Sequence, residues 1–230
     1  GPGAYLASGF PGSVSTLVPV GAGGDVPLLC DWDGNGTDTL GVFHRGTWYV
    51  RNSNRPGAED WVFSFGNPTD QPLCGDWNGD GRDTPGVFRA GHFYLRNSAT
   101  SGSADGSFDF GNPTDVAITG SWNGDRFDTV GVTRSGRYDT RFYLSNSNLV
   151  VRADVTAAFG NAGDVPLAGD WNNNGTTSIG VFRSGAVYLS NSTSAPRATA
   201  SYRFGNPTDV PLPGRLSSAG PTTVSVARGY

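Results

Sequence analysis

The chain has 230 residues and a net charge of −4, and its 35 glycines and 15 prolines leave few windows of a dozen residues without a helix breaker, which excludes helical arrays. Its 13 Phe, 8 Tyr and 6 Trp, with a charged fraction of only 16%, are enough to fill a core. The 16 basic residues, all Arg, are spread rather than clustered, which argues against a nucleic-acid partner, and no apolar run approaches the roughly 20 residues of a membrane span.

One segment recurs five times. Copies begin at Cys30 (CDWDGNGTDTLGVFH), Gly75 (GDWNGDGRDTPGVFR), Gly120 (GSWNGDRFDTVGVTR), Gly169 (GDWNNNGTTSIGVFR) and Gly214 (GRLSSAGPTTVSVAR), at steps of 45, 45, 49 and 45 residues. A period of about 40 to 50 residues marks propeller blades or helical arrays, and the Gly and Pro content selects the propeller.

The second copy serves as the pattern. Residues 71–76 (QPLCGD) form an apolar run that predicts a first strand buried on both faces, ending at the loop WNGDGRDT. Residues 86–89 (GVFR) form a second strand, Ala90-Gly91 a tight turn, and 92–97 (HFYLRN) a third strand. The linker SATSGSADG leads to a half-exposed fourth strand at 107–110 (SFDF), and GNPTD turns into the next repeat. Four strands per repeat and five repeats predict an all-β, five-bladed β-propeller, one domain over residues 1–230.

The chain ends complete the pattern. The last copy stops where a third strand should begin, while Ala4, Tyr5 and Leu6 match a third strand and STLVPVGAGGDVPLL a fourth strand with its turn. The closing blade is therefore expected to be shared by the two termini, with Pro19 on an edge strand. GPGAYLASGF has neither an initiator Met nor a signal-peptide pattern, as expected of a module processed from a larger protein.

Positions kept in all copies read first as structural. Asp25, Asp70, Asp115, Asp164 and Asp209 are expected to bond backbone N–H groups of the inter-blade turn. Tyr5, Tyr49, Tyr94, Tyr143 and Tyr188 are expected to pack between blades with the phenol tip free for a hydrogen bond or a ligand. Cys30 and Cys74 lie one residue out of register in equivalent segments. They form either a disulfide, if those segments are neighbours, or two small buried residues.

The first two loops offer oxygens at alternate positions around a glycine: Asp31, Asp33, Asn35 and Asp38, then Asp76, Asn78, Asp80 and Asp83. Such spacing suits Ca²⁺ in a structural role, and equally suits Asx turns that satisfy the loop backbone without metal. Loop three keeps Ser121, Asn123, Asp125 and Asp128 but has Arg126 in place of the glycine. Loop four has Ser178 in place of the closing acid, and loop five has no acids.

The D-x-[DN]-G-[DN]-G pattern before a short apolar strand resembles the FG-GAP and VCBS type repeats of integrin-like β-propellers, in the form found in secreted actinobacterial proteins. The resemblance covers essentially the whole chain. It implies calcium in the loop between first and second strands, and a secreted module for adhesion, for glycan recognition or for carrying an attached hydrolase. In the family the last acid lies eight positions after the first, whereas here Asp38 and Asp83 lie seven after Asp31 and Asp76.

Catalysis is not signalled: His44 and His92 hold different positions in their blades, and no G-x-S-x-G turn occurs. A non-catalytic binding module remains. For glycans the candidates are Tyr49, Arg51, Asn52, Tyr94, Arg96, Asn97, Tyr143, Asn146, Tyr188 and Asn191, clustered toward the third-strand ends, with Trp32, Trp77, Trp122 and Trp171 read either as sugar platforms or as core. Equivalent weak sites on one ring would gain avidity for a repetitive cell or polymer surface. For a protein partner, the candidate is a face formed by the variable segments 55–61 and 134–141.

Overall fold

The computed structural model describes residues 3–7, 14–19, 24–55 and 57–228, the first two segments as backbone only. The regular structure is entirely β. No helix of the described residues is long and apolar enough to cross a membrane.

Four blades each take four consecutive strands. The first holds β3 (Val26–Cys30), β4 (Thr39–His44), β5 (Thr47–Val50) and β6 (Trp61–Ser64). The second holds β7 (Gln71–Gly75), β8 (Thr84–Arg89), β9 (His92–Leu95) and β10 (Gly106–Asp109). The third holds β11 (Val116–Gly120), β12 (Thr129–Ser135), β13 (Thr140–Leu144) and β14 (Val155–Ala158), and the fourth β15 (Val165–Gly169), β16 (Ser178–Arg183), β17 (Ala186–Leu189) and β18 (Ala200–Arg203).

The fifth repeat contributes only β19 (Val210–Gly214) and β20 (Thr223–Arg228), so the blades made of uninterrupted chain number four. A further sheet has the order β19-β20-β1-β2, with β1 (Gly3–Ala7) and β2 (Val14–Pro19) from the other end of the chain. Gly3 pairs with Arg228 and also with Pro19, which places Pro19 on the outer edge. The side chain of Tyr5 lies outside the described residues.

The innermost strands lie side by side in the order β3, β7, β11, β15, β19, and β19 in turn lies beside β3. The arrangement is that of a propeller. The strand buried along nearly its whole length is the second of each blade, not the first. A second strand has sheet partners on both sides and neighbouring blades above and below. The first strand begins at the mouth of the axis, so its leading residue, as in Val26 or Val116, is exposed.

Local sequence sets the turns. Arg45-Gly46, Ala90-Gly91 and Ser184-Gly185 all have positive φ at both positions, the geometry of a two-residue type I′ hairpin that suits the twist of its strands. In the third blade the insertion lengthens this hairpin, with Ser135 paired to Thr140.

Packing joins each blade to the next. Trp32, Trp77, Trp122 and Trp171 are buried, and three of them donate the indole N–H to the carbonyl at or near the start of the second strand, as Trp32 does to Thr39 at 3.1 Å. They are core, which removes the sugar-platform alternative. Val87 of the second blade packs into the cluster of Trp32, Phe43, Trp48 and Phe63 of the first, and Val130 and Val132 do the same one blade further on. Each such apolar side chain contributes about 1.5–3 kcal/mol on burial.

Candidate functional site

Odd-numbered connections within a blade open on one face of the propeller and even-numbered ones on the other, because adjacent strands are antiparallel. The loops between first and second strands therefore share a face with the loops between third and fourth strands. The candidate metal and glycan segments meet on this loop face. The two variable segments do not: 55–61 leads from β5 into β6 on the loop face, whereas 134–141 spans the β12–β13 hairpin on the opposite one. A single protein-binding face made of both is corrected by strand direction.

The turn face is held by a repeated cation–carboxylate pair. Asp70 accepts the Asn67 N–H at 2.7 Å, as expected, and also takes Arg89 Nε and Nη2, each at 2.7 Å. Arg134 with Asp115, Arg183 with Asp164 and Arg228 with Asp209 repeat the pair, and His44 with Asp25 stands in the first blade. Burial works to raise the Asp115 pKa, but Arg134 and the Asn112 amide outweigh it and hold the carboxyl below its ordinary value. The guanidinium of Arg89, Arg134 and Arg183 then lies over Tyr94, Tyr143 and Tyr188 at 4.6–4.9 Å. The tyrosines fill the seams between blades, as expected. The Arg that ends each GVFR strand is the signal for this device, which the sequence reading passed over.

On the loop face the acids close their own turns. Asp31 Oδ1 accepts N–H from Gly34 and Asn35 at 2.9 and 3.0 Å, and Oδ2 accepts it from Gly36 at 2.7 Å. Asn35 aims its amide nitrogen at Asp33, 2.9 Å away, and its oxygen at the Thr37 N–H, 2.8 Å away. The second loop repeats this: Asp76 takes Gly79, Asp80 and Gly81, while Asn78 donates to Asp80.

Asp38 and Asp83 leave their loops altogether. Asp83 N–H donates to the Asp31 carbonyl, and Asp83 Oδ2 accepts the Asp31 N–H, both at 2.8 Å. Asp38 makes the same reciprocal pair with Arg215, Asp128 with Asp76, Thr177 with Ser121 and Thr222 with Asp170. These five clamps cross five seams. The residue equivalent to Asp83 in the fourth repeat is thus Thr177, not Ser178.

Calcium requires six to eight converging oxygens. The loop oxygens face backbone amides, and the closing carboxylates face the neighbouring blade, so the donors as placed do not fit the ion. The arrangement is the Asx-turn alternative. Among the described residues one group of metal-ligand atoms lies within 4.8 Å, that of Cys30, Cys74 and Asp83, and its two cysteines are joined as a disulfide. A disulfide lacks the thiolate that binds metal. The bond links β3 and β7 with Cα atoms 6.3 Å apart, which settles the cysteine alternatives.

Burial, reinforced by nearby acids, sets the clamp acids apart electrostatically. It pushes Asp38 up to about 7, with Asp31 and Asp128 adding to it and Arg215 opposing. It pushes Asp128 up to about 6, and Asp83 well above the ordinary range with help from Asp128 and Asp38.

The third-strand ends carry a device of their own. The N–H of Asn52, Asn97 and Asn146 donates to Asp60, Asp105 and Asp154 at 2.6, 2.8 and 2.8 Å. Asn52, Asn97 and Asn191 are exposed, and Asn146 is half-buried with its Oδ1 unpartnered. The Asn52 side chain bonds Asp33, and with the Asn35 groups it outweighs slight burial and lowers the Asp33 pKa. Arg96 is spent on its own loop, donating to the carbonyls of Thr100, Ser101 and Ser103. Arg51 lacks that set: its Nη1 is buried without a partner, and Nη2 lies 3.9 Å from Glu59. The acids eight residues after Asn52, Asn97 and Asn146, a position held by Thr199 in the fourth blade, are the sequence signal for this device.

No family model, curated protein or solved structure matches the chain. The reading of function rests on the site itself.

Proposed function

We propose that this chain is a five-bladed ring of the FG-GAP/VCBS type, closed by the composite sheet, that acts as a non-catalytic, lectin-like module of a secreted protein. The observation that carries the reading is the set of amide side chains at equivalent third-strand ends. Asp60 and Asp105 fix the backbone beneath the exposed Asn52 and Asn97, so those side chains stand on an ordered frame. Amides on a rigid frame match the vicinal hydroxyls of a sugar, and repetition around a ring raises avidity for a repetitive surface.

Charge narrows the ligand. The five loops after the first strands hold nine carboxylates and three arginines, so this face disfavours sulfated or uronate polymers and suits neutral glycans. The disulfide between β3 and β7 supports an oxidising, extracellular setting.

The test is a glycan array with labelled protein, run in Ca²⁺ and in EGTA. Binding to one neutral sugar class under both conditions is expected. A second reading, protein recognition, is favoured by Leu149 and Val150, which are 94% and 70% exposed on a loop-face connection of the third blade. A blank array from a folded sample selects it.

A further inference from the structure

A cavity of about 540 Å³ runs along the axis, and its two ends differ chemically. At the turn-face end stand the leading residues of the innermost strands, Val26, Val116, Val165 and Val210 with Gln71. Those four valines are exposed, at 39–44%. The wall behind them is apolar, with Leu28, Leu73, Ile118 and Leu212 among its residues.

At the loop-face end the lining holds five aspartates and one arginine, Arg215. Three of the aspartates, Asp38, Asp83 and Asp128, are clamp residues. Their Oδ2 atoms accept backbone N–H groups from the neighbouring blade, and no donor among the described residues meets their Oδ1 atoms. Arg215 is drawn to Asp170, 3.3 Å away. Acceptor oxygens that lack a donor thus share one open-ended cavity with an apolar wall.

We propose that this cavity binds a small amphiphilic primary amine, with the ammonium at the acidic loop-face end, bonded to the open Oδ1 of one of Asp38, Asp83 and Asp128 with the others close by, and the alkyl chain along the wall toward the valines. The lining selects within the class of cations. Among the described residues no aromatic ring faces the cavity, so a quaternary ammonium would find there neither π faces nor a use for the open acceptors. A primary ammonium brings three N–H donors. The far end is apolar, so the ligand has one charged end rather than the two of a diamine. A bare metal ion would leave the apolar wall without a role.

The experiment is isothermal titration of the intact chain with hexylamine, hexanol and hexyltrimethylammonium, each also applied to Asp83→Thr and to Asp83→Thr/Asp128→Thr. Threonine is chosen because Thr177 and Thr222 hold the same clamp, and a cooperative melt verifies the fold. Saturable 1:1 heat with hexylamine is expected, weakened about tenfold or more by removal of the carboxylates, and by a similar factor for the alcohol and the quaternary amine. Absence of saturable heat with hexylamine, equal binding of hexanol, or affinity unchanged in the double variant overturns the proposal. A blank glycan array leaves it standing, since the cavity and the exposed amides are separate sites.

Discussion

Asp83 and Asp31, 52 residues apart, hold each other by two backbone-directed bonds, the N–H of each donating to an oxygen of the other. The pair is one of five equivalent clamps, and the others show what position 83 requires: an acceptor of short reach. A Cβ at Gly120 would lie 2.3 Å from Thr177, and one at Gly75 would lie 2.9 Å from Asp128, so in those two clamps the strand end must be bare, whereas Asp83 crosses at Cys30, whose side chain turns into the disulfide with Cys74.

Because threonine serves at 177 and 222, Asp83→Thr is expected to be neutral or stabilising, while Asp83→Ala leaves the Asp31 N–H without its acceptor and costs about 1–2 kcal/mol. Calorimetric melting of both variants beside the parent chain measures the difference.

The same carboxylates make stability fall as pH rises. A folded-state pKa raised to about 7 for Asp38 and about 6 for Asp128 means the folded chain holds those protons more tightly than the unfolded one. Their contribution is complete below the unfolded value near 4 and is lost as pH passes through about 6 to 7. The melting temperature is expected to be higher at pH 5 than at pH 8 by roughly 5 °C, a difference that shrinks in Asp83→Thr/Asp128→Thr.

On the other face, Arg134→Ala strands Asp115, whose side chain is fully buried, and uncovers Tyr143. A loss of about 2 kcal/mol is expected from the broken charged hydrogen bonds, against little change for Tyr143→Phe, which keeps the ring beneath the guanidinium. Urea unfolding of the two variants separates the effects.

Reduction of Cys30–Cys74, or Cys74→Ser, frees a loop of 44 residues in the unfolded chain. The chain-entropy estimate is a loss of about 3–4 kcal/mol. Melting with and without a reductant checks it. Excess Ca²⁺ and EGTA are expected to leave the melt unchanged, since the loop oxygens already face their own amides; a rise with Ca²⁺ would show that the loops rearrange around the ion.

The strands were legible because the repeats print them: the GVFR segment, a third strand with Tyr at its third position and the GNPTD turn recur, with small variations, at the period of a blade, and the matching fragments at the two ends disclosed the composite sheet. The cross-seam bonds of Asp38 and Asp83 were not legible for a physical reason. A carboxylate at a loop end can serve its own loop or the next blade, and spacing within one repeat is identical in the two cases. Thr177 and Thr222 carried the information that this position serves a cross-seam bond, but only when aligned at the same seventh position. The pairing of Arg89 with Asp70 was hidden because its partners are 19 residues apart and meet only once two strands have folded back. The separation of segments 55–61 and 134–141 was available from strand parity alone.

The account depends most on the exposed amides of the loop face. The most direct test is a glycan array comparing the parent chain with Asn52→Ala/Asn97→Ala/Asn191→Ala, both verified by a cooperative melt. One neutral sugar class bound by the parent chain and lost in the triple variant is the predicted result. A blank array from the folded parent, or binding that survives the triple variant, would contradict it.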